Sequence, residues 1–310
     1  MKYVVAGNAA ADCITFADGT CTGFVAGGAS LFALLGIQLW DDEVLLCGGF
    51  GEDYMDSLGD WLIRNKIDRR AFNVRDPHHP LNYVNYRDEG GWDSHTVYGD
   101  AHYDSLDCNP ELDHLEDYLE DTVGVTFFRG EDPDFYRQIF ALRGRFGFKL
   151  NWEIKGKLCI PENLNKIREM CKNVDSFSIN GPETFELFGV NSDEEAIAAL
   201  KTLGCPLVIY RVGKRGIFII KGEEVLFAPA FTKYPLVDVT GCGNSSTAAA
   251  FYAWCEGKDI YEIAAHANIT AGHNLRYHGA MELTDENKAL ARKDLEEFVA
   301  YLKETQTVTR

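Results

Sequence analysis

The chain opens on a short apolar run, Tyr3-Val4-Val5-Ala6, which ends at Gly7 and reads as a buried strand. The small-residue stretch Asn8–Ala11 reads as a loop that carries Asp12 to the C-terminal end of that strand, where open α/β sheets place their ligands. From 13 to 26 apolar and polar positions alternate around an Asp18-Gly19 turn, the pattern of a hairpin. Gly27-Gly28 then leads into an apolar helix, Ala29 to Gly36. Val44–Cys47 is the next strand, and glycine-rich 48–53 follows it. The helix after that sets Met55, Leu58 and Leu62 on one face at i, i+3 and i+7.

Period two returns between 81 and 103. Asn82–Arg87 and His95–Gly99 alternate on either side of a turn at 88–91. Together with the hairpin at 13–26, the segment 80–104 predicts a small β-lid. It is an inserted flap rather than a second globular unit, so residues 1–310 are expected to form one domain. From 111 to 203 strands alternate with helices. The strand 122–128 ends at Arg129-Gly130-Glu131, 148–152 carries Asn151 at its polar exit, and 176–179 runs out at Asn180-Gly181-Pro182-Glu183. Two further strands, 206–212 and 217–220, flank a turn at Gly213 and Gly216, and 225–229 continues the meander. A polar turn at 238–246 precedes a helix from Thr247 and a second one from Ile260 to Leu275. The last helix, from about Asp285, aligns Leu295, Phe298, Val299 and Leu302 and is expected to pack on the sheet. Alternating β and α units with a strand-rich insertion predict a three-layer α/β/α sandwich with a mostly parallel central sheet.

Composition narrows the partners more than the fold. The 310 residues carry a formal charge of −18, which argues against nucleic acid or an anionic membrane surface as a partner. A phosphate ligand stays compatible with that charge, because local N–H groups and a metal ion set such a site's potential. Nine cysteines show no C-x-x-C pair, the usage of a reducing compartment, and the cytoplasm is the expected location. No apolar run is long enough to span a bilayer, and Val4–Ala11 is too short for a signal peptide. His78, His79, His95 and His102 lack metal-ligand spacing and read as polar lid surface.

The candidate chemistry sits at Asp238-Val239-Thr240-Gly241-Cys242-Gly243-Asn244. Two glycines one residue apart let the backbone approach a ligand, and the helix that follows aims unpaired N–H groups and its positive dipole end into the turn. That is the design of an anion site. Neither a Gly-x-Gly-x-x-Gly dinucleotide fingerprint nor a Walker A loop occurs, which disfavours an oxidoreductase on a dinucleotide-binding domain.

The run 238–244 resembles the C-terminal signature of the ribokinase (PfkB-type) carbohydrate kinase family, Asp-Thr-x-Gly-Ala-Gly-Asp. Asp238, Thr240, Gly241 and Gly243 stand in motif positions, and Asn244 replaces the final Asp, the base that takes the acceptor's proton. The resemblance runs from Asp12 to Gly279, with Gly27-Gly28, Asn180…Glu183 and Gly213…Gly216 in the family's order. It implies a ribokinase-like fold and transfer of the γ-phosphoryl of ATP to a sugar-like hydroxyl, with Mg²⁺. By the same resemblance Gly241, Cys242 and Gly243 form the anion hole, and Asp12, Gly27 and Gly28 face the acceptor; Phe32, near the place of the family's usual Asn, and Glu131, from its position at a strand end, are further candidates to face it. Asn151, Asn180, Gly213, Gly216, Asp238, Thr240 and Asn268 flank the nucleotide. Glu183 and Asn180 hold magnesium through water. It also implies pairing of two chains through the lid. Asn244 has no useful basicity, so a relative that binds nucleotide and ligand without turnover is the alternative reading.

Overall fold

The computed structural model describes residues 1–87 and 91–310; three of the four positions of the turn expected at 88–91 lie outside them. In chain order the strands are β1 (Tyr3–Ala6), β2 (Ala10–Thr15), β3 (Cys21–Gly27), β4 (Val44–Gly51), β5 (Phe72–Asp76), β6 (Leu81–Tyr86) and β7 (Trp92–Thr96). They continue with β8 (Gly124–Arg129), β9 (Lys149–Ile154), β10 (Ser176–Asn180), β11 (Leu207–Arg211), β12 (Gly216–Lys221) and β13 (Glu224–Pro229). The helices are α1 (Ala29–Gln38), α2 (Tyr54–Arg64), α3 (Asp100–Ser105), α4 (Pro133–Phe146) and α5 (Leu164–Cys171). After them come α6 (Gly181–Phe188), α7 (Asp193–Lys201), α8 (Cys242–Cys255), α9 (Ile260–Asn274) and α10 (Asp285–Thr305).

The large sheet runs β13-β12-β11-β10-β9-β8-β1-β4-β5, parallel from β11 to β5 and antiparallel at β12 and β13. Alternation along β1 shows how it is covered. Tyr3 and Val5 face the core shared with α1, α2, α8 and α9, while Val4 and Ala6 face the core shared with α4, α5, α6 and α7. The three layers expected from the βα alternation are therefore present. The second sheet, β3-β2-β6-β7, is the lid. Both of its hairpins are antiparallel, and β2 and β6 join them side by side in parallel.

Several boundaries differ from the sequence reading, each for a physical reason. Asp12 lies within lid strand β2 rather than in a loop, because Ala11 and Asp12 pair with both β3 and β6. The glycines at 48–51 continue β4, and β5, whose residues are only half covered, had no clear alternation. On α2 Met55 is exposed and Trp61 takes its place in the core. Residues 100–105 are helical, so the lid ends at Thr96. The apolar face of α10 packs on α9 rather than on the sheet, and Thr309 returns to bridge β13.

Candidate active site

The first turn of α8 occupies the place where a longer polar turn was expected. Gly241 precedes it in the left-handed region (φ 73°), and no side chain caps the helix. Its leading N–H groups are left without intrahelical partners and open toward the C-terminal ends of the parallel strands. A Cβ on Gly241 would overlap the Phe32 ring, and one on Gly243 would overlap the Arg211 guanidinium. Both glycines are there because neighbours touch their backbone.

Asp238 shapes this turn from beneath. Its buried carboxylate accepts from the Thr240 N–H (2.9 Å) and hydroxyl (2.7 Å) and from the Gly279 N–H (2.9 Å). Asn274 on α9 donates to the Thr240 carbonyl at 2.8 Å. From above, the lid residue Tyr86 meets the Thr240 hydroxyl at 2.9 Å and stacks on Phe16. The Cys242 thiol is pushed up to about 12 by burial, so it is a protonated wall of the turn and not a nucleophile.

Across the cleft Asp12 is 4% exposed. It accepts from Asn82 Nδ2 at 2.9 Å and from the Gly28 N–H at 3.0 Å, and it packs so tightly on Gly27 that no side chain fits there. Burial raises its pKa, an effect opposed by the Asn82 and Gly28 hydrogen bonds. Two donors leave the carboxylate with further acceptor capacity.

Beneath α8 the sheet face is polar: Thr126, Asn151, Glu153, Ser176 and Ser178 are all buried. Ser178 meets Thr247 of α8 at 2.7 Å, and Asn151 donates to Thr126 at 2.6 Å. Asn151 is thus a mid-strand side chain bound to its neighbour, and the polar exit of β9 is Glu153. Glu153 pairs with Arg211 Nη1 at 2.8 Å. Burial raises the Glu153 pKa, against Arg211 and Asn244, which lower it.

The remaining expected residues fall as follows. Asn180 and Glu183 form a reciprocal capping box that starts α6, each side chain accepting from the other's N–H at 3.0 Å. The charge of Glu183 still reaches Glu153. Gly213 and Gly216 bracket a tight turn between β11 and β12. Asn268 on α9 is buried and donates to the Ala228 carbonyl. Phe32 is 2% exposed and fills the space behind Gly241 rather than lining the cleft. Glu131 turns away to Lys166 (2.7 Å) at a pocket between α4 and α5; the charged end of β8 is Arg129, paired with Asp107 at 3.0 Å. His79 is buried against Phe50, not on the lid surface.

Glu153, Arg211, Tyr86, Asn82 and Asn274 escaped the sequence reading. The alternation Asn151-Trp152-Glu153 was a usable signal for the first. The others become visible only when separate elements meet.

An uncapped helix N-terminus with a guanidinium beside it, a lid strand bonded to its turn and a buried carboxylate on the lid are the features gathered here. Residues 2–287 match the model of the pfkB family carbohydrate kinases, and the chain belongs to that family. Its fold is similar to that of the adenosine kinase from Sinorhizobium meliloti (TM-score 0.77, 17% identity, 94% of this chain and 98% of that one). It is also similar to an E. coli structure described as a ribokinase II with ATP and Mg²⁺ (TM-score 0.74, 18% identity, 97% and 99% covered). A third similar structure is the Arabidopsis thaliana ribokinase with ribose and ATP (TM-score 0.72, 19% identity, 96% and 98% covered). Among the described residues no helix is long and apolar enough to cross a membrane, and no cluster of three or more His, Cys, Asp or Glu could hold a metal ion.

Proposed function

We propose that this protein is an ATP-dependent kinase that transfers the γ-phosphoryl group to a hydroxyl of a sugar-like acceptor. The observation that carries this reading is the uncapped start of α8, with Arg211 lying on Gly243 beside Asn244 and Asp12 across the cleft. Nucleotide-bound relatives of the same fold support the choice of ATP and Mg²⁺.

The N–H groups of Gly243 and Asn244 stabilise the charge on the moving phosphoryl group, and Arg211 adds a cation. Asp12 accepts hydrogen bonds from acceptor hydroxyls and holds one in line. Asp238 and Thr240 act through the shape of the turn, and the turn at Gly213–Gly216 and Asn268 flank the nucleotide. Glu183 and Asn180 would hold the water shell of a Mg²⁺ ion bound with the nucleotide, which would supply neutralisation of the phosphate charge. The acceptor oxygen bonds to phosphorus as the bond to the bridging oxygen breaks, and ADP leaves. Asn244 accepts a hydrogen bond from the reacting hydroxyl. The hydroxyl proton passes to an oxygen of the transferred phosphoryl group as the new bond forms and is released to water from the product monoester, whose second pKa is about 6.

Pairing of two chains through the outer lid face, where Phe24 packs tilted on Tyr83 and Tyr83 stacks on His95, belongs to the same reading. Light scattering of Tyr83→Lys beside the wild type tests it: the variant runs as a monomer and the wild type as a dimer, or the pairing is wrong.

The test of the function is ADP release from ATP and Mg²⁺ across a panel of sugars, polyols and nucleosides. Acceptor-dependent release supports the kinase. Nucleotide binding with no acceptor-dependent release from any member overturns it in favour of a binding relative.

A further inference from the structure

The inner face of the lid carries a polar row with unmatched atoms. Asp12 on β2 is in register with Asn82 on β6, and Asn82 with Thr96 on β7, so the three side chains stand in line on one face of the sheet. That face looks into the cleft. Along β6 Asn82 and Tyr86 share it, and Tyr86 reaches Thr240 of the glycine turn at 2.9 Å, while Tyr83 on the opposite face is exposed. Asn82 Nδ2 donates to Asp12 Oδ1 at 2.9 Å; an ionised carboxylate only accepts, so the amide is fixed with its own oxygen turned away from Asp12. Among the described residues, Asn82 Oδ1 and Thr96 Oγ1 are buried and have no hydrogen-bond partner. Leaving buried polar atoms unpaired destabilises a protein, and native structures keep them mainly where a ligand, an ion or an ordered water meets them.

Neighbouring strands lie about 4.8 Å apart, so the row is roughly 10 Å long and meets more than one group of a bound molecule. Its one charge is the Asp12 carboxylate, and Asn82 Oδ1 adds a second acceptor. Both need donors. A hydroxyl supplies one, whereas a phosphate or carboxylate would set its own lone pairs against them. Thr96 donates as well as accepts and can meet a hydroxyl in either sense. We propose that Asn82 and Thr96 are specificity-determining residues for the acceptor, and that the row Asp12–Asn82–Thr96 selects a neutral polyhydroxylated molecule over one that brings an anionic group to the lid. The assignment rests on the kinase reading for its reaction but not for its binding.

The experiment measures ADP release and melting temperature for the wild type, Thr96→Val, Thr96→Ser and Asn82→Leu. The probes are ribose, fructose, glucose and adenosine, each beside a monodeoxy analogue and a phosphorylated form. The wild type is expected to use a neutral probe about tenfold or more better in kcat/KM than its phosphorylated form. Thr96→Val is expected to raise KM for that probe about tenfold with kcat nearly unchanged, and Thr96→Ser to keep KM near the wild-type value. Removing an unpartnered buried hydroxyl should leave the melting temperature of probe-free Thr96→Val equal to the wild type's or above it, which a hydroxyl with a structural role would not allow. Asn82→Leu should discriminate less between the probe and its monodeoxy analogue than the wild type does. Preference for a phosphorylated form overturns the proposal, as does a Thr96→Val protein that melts lower with its KM unchanged. Were no probe to support ADP release, the kinase reading falls and binding decides. A probe that raises the melting temperature of the wild type and not of Thr96→Val then upholds the row, and no shift from any probe overturns it.

Discussion

Substituting Gly241 by Ala tests how the anion site is built. The residue sits at φ 73°, where an L side chain costs about 1–2 kcal/mol. Its Cβ would also overlap the Phe32 ring, which is buried at 2% exposure. Overpacking of that kind costs about 1–3 kcal/mol, so the total is about 2–5 kcal/mol. At roughly 2 °C per kcal/mol for a chain of this size, melting should fall by roughly 4–10 °C. Gly213→Ala is the control. It has φ 60° and nothing within 4 Å of its Cβ, so it carries the backbone cost alone. Scanning fluorimetry of the two variants and the wild type isolates the ring contact. Equal losses in both variants would refute the claim that Phe32 is packed onto the turn. A double variant with Phe32→Ala should recover part of the difference.

Asp12→Asn should lower acceptor kcat/KM by about 10²-fold or more while leaving nucleotide affinity within a few-fold, because only the acceptor side loses its charged partner; isothermal titration and initial rates separate the two. His79 and His266 are buried and held to a pKa of about 4 by desolvation. Their folded pKa lies below the unfolded value, so the stability they contribute is full above pH 6.5 and is lost as pH falls toward 4. Replacing both by Gln should flatten the acid limb of melting temperature against pH, and an unchanged slope would show that they do not control it. Cys13 and Cys21 bring their sulfurs to 3.0 Å across the lid hairpin, and hydrogen bonding from Cys13 holds the exposed Cys21 thiol below its usual pKa. Oxidised glutathione should therefore convert them to an intramolecular disulfide. Intact mass would show the loss of two hydrogens, absent in Cys21→Ser; a persistent glutathione adduct on the wild type would contradict the geometry.

Periodicity made most of the sandwich legible, because parallel strands buried on both faces and amphipathic helices leave opposite signatures along the chain. Asp12, the glycine turn and Asn180…Glu183 could be picked out because each lies in a compact local motif. The errors arose where tertiary contacts override local pattern. Asn151 looked like a strand exit because the strand was expected to end at Trp152, yet β9 runs on to Ile154 and Glu153 lies nearer its end. Glu131 looked ligand-facing from its place after a strand, but a lysine on a neighbouring helix draws it outward. Phe32 shows only that an aromatic lies near the turn. Which side of Gly241 it occupies depends on how α1 meets α8. Arg211 stands beside Gly243 through pairing of β11 in the sheet, a contact that no local spacing encodes.

The most direct test of the account follows the phosphoryl group itself. ATP labelled at the γ position would be incubated with Mg²⁺, the protein and a mixture of sugars, polyols and nucleosides, and the label traced by mass spectrometry. The account predicts that the label moves onto a hydroxyl of one acceptor class and that Arg211→Ala slows the transfer. Label that remains in ATP or appears only as inorganic phosphate, with nucleotide demonstrably bound, would contradict it.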